Sequence, residues 1–91
     1  MLKTRFIFLK RLYLEYVIIF KINRKLYVYG NDLKIIRYFK LNNIINTLNK
    51  YGVNYIIIDN LNIVVKKEFN YNKYLELLYK TILIYLIEKG D

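Results

Sequence analysis

Residues 53–68, VNYIIIDNLNIVVKKE, decide how this chain folds. Val53–Ile58 is apolar at both alternating sets of positions, which fits a strand covered on both faces at the centre of a sheet. Asp59-Asn60 then turns the chain, because Asx side chains satisfy the backbone of a tight turn locally. Ile63–Glu68 returns as a strand that ends in charge, as an edge or exit strand does.

Upstream of this unit, Leu41, Ile44, Ile45, Leu48 and Tyr51 recur at helical spacing opposite Asn42, Asn43, Asn46, Asn49 and Lys50. That pattern predicts a short amphipathic helix ended by Gly52. Tyr16–Ile22 is β-branched and aromatic and reads as a strand. Asn23-Arg24 is its two-residue turn, and Lys25–Tyr29 is the returning strand. Gly30-Asn31-Asp32 is a further turn signal. Leu33–Phe39 reads as a third strand, with Leu33, Ile35, Arg37 and Phe39 on one face. Residues 2–14 fit either a helix or an extended arm, because Lys3, Arg5, Lys10 and Arg11 follow neither period. Downstream, Asn72 caps a helix over roughly 72–89 that carries a Glu76–Lys80 pair on its polar face. Its Ile82–Ile87 turn is apolar or aromatic all round, which predicts burial against a partner.

The expected order is therefore β-β-β-α-β-β-α. The fold class is α+β, a small antiparallel or mixed sheet of about five strands with the C-terminal helix on one face. Residues 1–15 are expected as a basic N-terminal arm, and 16–91 as a single domain.

The chain has 91 residues and is 56% hydrophobic, above the usual share of about 45–50%. A domain this small has a modest core, so some of that apolar surface calls for a partner. Ile, Leu, Lys, Tyr and Asn make up 63 residues, and Ala, Ser, Pro, Cys, His, Gln and Trp are absent. Ile, Lys, Asn, Tyr and Phe are written by A/T-rich codons, which points to a gene under A+T pressure in an organelle, a reduced parasite or endosymbiont, or a virus. The net charge is +9, and it is concentrated early: residues 1–40 hold ten Lys/Arg against Glu15 and Asp32. A basic half of this kind implies a polyanion.

Without His, Cys or Ser the common nucleophiles and general bases are missing, and the acids are scattered with no metal-ligand spacing. A non-enzyme with no cofactor, no metal and no small-molecule substrate is expected. No secretory signal is read at the N-terminus, and no apolar run approaches the ~20 residues of a transmembrane helix.

The binding candidates are basic. Lys3, Arg5, Lys10 and Arg11 form the arm, Arg24 and Lys25 a hairpin tip, and Lys34, Arg37 and Lys40 the third strand. Phe6, Phe8, Tyr13, Tyr27, Tyr29 and Tyr38 are interleaved with them. Cations for phosphates and rings for exposed bases suit structured RNA. Ile82, Leu83, Tyr85, Leu86 and Ile87 are the candidate partner interface.

Two stretches resemble the first domain of large-subunit ribosomal protein six. Val17–Leu41, VIIFKINRKLYVYGNDLKIIRYFKL, is similar to that family's opening hairpin, whose second strand ends in Val-x-Gly before a third strand. Tyr55–Val65 is similar to its next hairpin, and Leu77–Gly90, LLYKTILIYLIEKG, to its helix. Where the family has Pro and a second Gly, this chain has Asn31-Asp32-Leu33, and residues 42–53 read as an insertion. The family's second domain carries its main rRNA-binding segment, so here the basic arm takes that role.

The resemblance implies a structural rRNA-binding protein of an organellar-type large ribosomal subunit, in a mitochondrial matrix or plastid stroma, held by rRNA and neighbouring ribosomal proteins. Two other readings share the residue pattern. One is a peripheral subunit of an organellar membrane complex, with the last helix docked on membrane subunits and the basic face on anionic lipid. The other is a small viral nucleic-acid-binding or inhibitor protein in host cytoplasm.

Overall fold

The structure is a computed structural model that describes residues 2–39 and 43–89. In chain order it runs α1 (Leu2–Leu12), β1 (Val17–Ile22), β2 (Lys25–Tyr27), α2 (Gly30–Phe39), α3 (Ile44–Tyr51), β3 (Tyr55–Asp59), β4 (Asn62–Lys67) and α4 (Tyr74–Lys89). The strands form one mixed sheet in the order β2-β1-β3-β4. β1 and β3 run parallel at its centre, with Val17 opposite Tyr55 and Phe20 opposite Ile58. β2 and β4 fold back antiparallel as the two edges. Central β3 and edge β4 follow from their sequences, since Tyr55–Ile58 is buried throughout and β4 is exposed throughout.

The α+β class and the mixed sheet match expectation, but the strand count and order do not. Leu33–Phe39 belongs to a helix, α2, not to a third strand. Asp32, Ile35 and Ile36 are 0%, 0% and 7% exposed, a spacing of i, i+3, i+4 that gathers them on one helical face. Asp32 also stands in the first turn of α2, where a carboxylate complements the helix dipole. Gly30 opens the helix at φ +58, with the Phe6 ring 3.4 Å from where a Cβ would stand.

The parallel centre lets helices cover both faces of the sheet. Val17, Ile19, Tyr55 and Ile57 face Ile35 and Ile36 of α2, Leu48 of α3, and Tyr74 and Leu77 of α4. Ile18, Phe20, Ile56 and Ile58 face Phe6 and Leu9 of α1. Residues 2–12 are thus a helix packed on the sheet, not a free arm.

α3 is the expected amphipathic helix over Ile44–Tyr51, capped by Asn43, while Leu41 and Asn42 lie outside the described residues; it ends as expected at Gly52, whose φ of 74 is left-handed and suits glycine. Each hairpin turn has two central residues at positive φ: Asn23 (50) with Arg24 (68), and Asn60 (53) with Leu61 (68). This is the type I′ pattern that matches strand twist. The second turn is centred one residue later than the expected Asp59-Asn60.

Candidate nucleic-acid interface

β1 and β3 run parallel, so both hairpin turns lie at the same end of the sheet. The N-terminus of α1 meets them there. Leu2 closes a cleft of about 420 Å³ whose apolar lining includes Phe20, Ile22, Ile58 and Leu61, and to which both turns contribute an asparagine, Asn23 and Asn60. A second hollow of about 650 Å³ adjoins it across Leu2 and Leu61 and is lined also by Thr4, Arg5 and Phe8. Arg5 fixes this arrangement by donating from Nη2 to the Leu61 carbonyl at 2.9 Å.

The cations at this end are Lys3 and Arg5 on α1, Lys21 at the end of β1, Arg24 in the turn and Lys25 at the start of β2, all exposed. Asp59 is the acid that lines the cleft. Lys21, Arg24 and Lys25 belong to one tight hairpin, with Lys21 paired to Leu26 across it. The structure thereby joins four predicted residues, Lys3, Arg5, Arg24 and Lys25. Lys21 was not predicted; its place one residue before Ile22 and the Asn23-Arg24 turn is the signal that would have found it.

The remaining predicted cations lie elsewhere. Arg11 is exposed near the C-terminus of α1, and Lys34 and Arg37 are exposed on α2, not on a strand. Lys40 lies outside the described residues. Lys10 is drawn inward: its Nζ sits 2.7 Å from Asp32 Oδ1, donates to the Tyr16 carbonyl at 2.6 Å, and lies 4.4 Å from the centre of the Tyr74 ring. Its ammonium is thus engaged with groups of the fold and stands apart from the hairpin-tip cations.

Asp32 is the hub at this opposite end. Its carboxylate accepts from Lys10, from the Ile18 backbone N–H at 3.0 Å and from the Tyr74 hydroxyl at 2.5 Å. Four elements, α1, β1, α2 and α4, meet on one side chain. Burial pushes the Asp32 carboxyl up, against the pull of the Lys10 charge and the hydrogen bonds. Burial likewise pushes the Lys10 ammonium down against the Asp32 charge, and pushes the Tyr74 hydroxyl far up, with Asp32 adding to the effect. With Asp32 fully buried, this cluster clamps the fold and offers no carboxylate to a ligand.

Nearby, on the surface, Lys66 pairs with Glu68 at 3.3 Å and lies over the rings of Tyr13 and Tyr16 at 5.4 and 5.9 Å. Hydrogen bonds from Tyr16 and Lys66 hold Glu68 below the usual carboxylate range. Among the described residues there is no group of His, Cys, Asp and Glu that could hold a metal ion, and no helix long and apolar enough to cross a membrane.

Of the predicted partner interface on α4, Ile82 is half-buried, while Leu83, Leu86 and Ile87 are 58%, 57% and 73% exposed. The side chain of Tyr85 lies outside what is described. Leu75 and Tyr79 extend the exposed stripe by i, i+4, i+8 spacing with Leu83. No protein-family model, no curated protein and no solved structure matches the chain.

Proposed function

We propose that this protein is a structural RNA-binding component of a ribonucleoprotein particle, and that the particle is an organellar-type large ribosomal subunit. The observation that carries the RNA-binding part is that Arg5 and Lys21 line two adjoining hollows at the hairpin-tip end, with Lys3, Arg24 and Lys25 exposed on neighbouring residues of α1 and the first hairpin. Phosphates would meet the cations, and the apolar stripe of α4 would be covered by a neighbouring protein. The ribosomal part rests on the A+T-driven composition and on the resemblance of the two hairpins and α4 to the first domain of ribosomal protein six. α2 departs from that resemblance, being helical where a strand is implied.

The test is sedimentation of the tagged protein with ribosomal subunits, paired with RNA titrations of the K3Q/K21Q/R24Q/K25Q variant. These side chains are exposed, so the variant should fold. Each phosphate contact contributes about −0.7 to −0.9 to the slope of log K against log salt. Removing four should make the slope shallower by about 3 and release the protein from the large-subunit peak. Equal affinity and slope for variant and wild type would sink the RNA reading. RNA binding without co-sedimentation would sink the ribosomal assignment alone.

A further inference from the structure

We propose that the two hollows at the hairpin-tip end seat two successive unpaired bases of a single-stranded RNA segment, with Phe8 as a stacking platform. This rests on the RNA-binding reading above and narrows its ligand from RNA in general to a single strand.

Phe8 is the first argument. It is 62% exposed, although α1 buries Phe6 and Leu9 on the sheet, and it lines the larger hollow. Arg5 stands three residues before it on α1 and lines the same hollow. An exposed ring beside a guanidinium group, at the basic end of the sheet, is what a single strand uses: the base stacks on the ring while the cations follow its backbone.

The second argument is the shape of the pair of hollows. They share Leu2 and Leu61 as a wall. Two bases on either side of that wall cannot stack on each other, so each must leave the helical stack and find its surface on the protein. Phe8 supplies one such surface, and Ile22 and Leu61 supply apolar contact in the other. Asn23 and Asn60 line the smaller hollow, and a carboxamide offers both a donor and an acceptor to a base edge. A duplex keeps its bases stacked and paired and presents chiefly its backbone and groove edges, so it can meet the cations but cannot fill the hollows. The surrounding charge supplies the complementarity that identifies the occupant as nucleic acid.

The experiment compares fluorescence anisotropy of a labelled ten-nucleotide RNA single strand with that of a labelled RNA duplex, on the full chain. The variants are F8A and L61N; Phe8 is exposed, and Asn suits the positive φ of Leu61, so both should fold. The expected result is a loss of single-strand affinity in F8A of about 5- to 150-fold, the usual range for one stacked base, with duplex affinity and salt slope unchanged. L61N should weaken the single strand in the same direction. The chain has no Trp, so F8W adds a clean reporter whose emission should be quenched by the single strand and not by the duplex. Unchanged single-strand affinity in F8A, or equal losses for both RNAs, overturns this inference and leaves the basic-end reading standing. Absence of RNA binding by the wild type overturns both.

Discussion

Replacing Asp32 by Ala should bring this protein close to its limit of stability. Asp32 has no exposed surface, and three donors depend on it. D32A orphans the buried Ile18 N–H, which costs about 1–3 kcal/mol, and the Tyr74 hydroxyl, which costs a similar amount. It also removes the partner of the Lys10 ammonium, whose side chain is only 16% exposed; breaking a buried pair costs about 3–5 kcal/mol in well-enclosed cases. Two features reduce this last cost. Lys10 keeps the Tyr16 carbonyl and the Tyr74 ring, and a water can enter the space vacated by the carboxylate. The contributions also overlap, so about 3–5 kcal/mol in total is expected. At roughly 0.05–0.15 kcal/mol per residue the whole fold is worth about 5–14 kcal/mol. Urea unfolding followed by far-UV circular dichroism measures the loss. E76A serves as the charge control, because Glu76 is half exposed on the surface of α4 and its loss should stay within about 0.5 kcal/mol. A cost for D32A below about 1 kcal/mol would refute the clamp. A double-mutant cycle gives an independent check. D32N turns an amide toward the Lys10 ammonium, and K10M removes that clash, so K10M/D32N should be more stable than additivity predicts by about 0.5–3 kcal/mol.

Two further predictions concern the same end of the molecule. Asn72 accepts from the backbone N–H groups of Asn54 at 2.9 Å and Tyr74 at 3.2 Å, and donates to the Glu15 carbonyl at 2.7 Å; N72A should cost about 1–3 kcal/mol in the same unfolding assay, and a change within experimental error would refute its capping role. The pH dependence follows from Asp32. Its folded-state pKa is raised above its ordinary value of 3.8, so between the two values the native state holds a proton that the unfolded chain has released. Its contribution is therefore full below that ordinary value and falls as pH rises through the folded pKa. The stability advantage of wild type over K10M/D32N should shrink as pH is raised from about 4, and an advantage that grows would contradict the direction of the shift.

Much of the sheet was legible because its strands are short and uninterrupted. Val53–Ile58 could be central only if covered on both faces, and the structure supplies α1 on one face and α2, α3 and α4 on the other. Asn49, Lys50 and Gly52 marked the end of α3 as a polar face and a left-handed cap do. α2 reads as a strand because Leu33, Ile35 and Arg37 alternate as a strand would, and its ten residues are too few for periodicity alone to decide. Asp32 held the missing information. As a turn residue it would sit in solvent; as the first-turn acid of a helix it is aligned with Ile35 and Ile36 and lies inside. Its partners are 22 and 42 residues away at Lys10 and Tyr74, and no local pattern encodes contacts at that range. The hairpin-tip site was legible in its cations but not in its shape, because the hollows exist only once Leu2 is laid against Leu61.

α1 connects the two ends, and this changes what its cations do. By sequence alone Lys10, about one and a half turns from Arg5, reads as a phosphate contact of the same basic segment. In the structure it anchors the C-terminal half of α1 to Asp32, while Phe6 and Leu9 lay the helix on the sheet. The N-terminal half then has a fixed direction, and Leu2, Arg5 and Phe8 arrive beside Leu61 without needing large burial of their own. Long side chains on exposed helix turns lose rotamer freedom when they bind. Arg5, already held on the Leu61 carbonyl, has paid part of that cost on folding. The clamp is therefore a condition for the shape of the hollows. K10M should weaken single-strand binding through the position of α1 while leaving the duplex, which needs charge more than shape, less affected. Equal loss of affinity for both RNAs would mean that Lys10 contributes charge at the surface, as the arm reading had it, and that the helix needs no anchor.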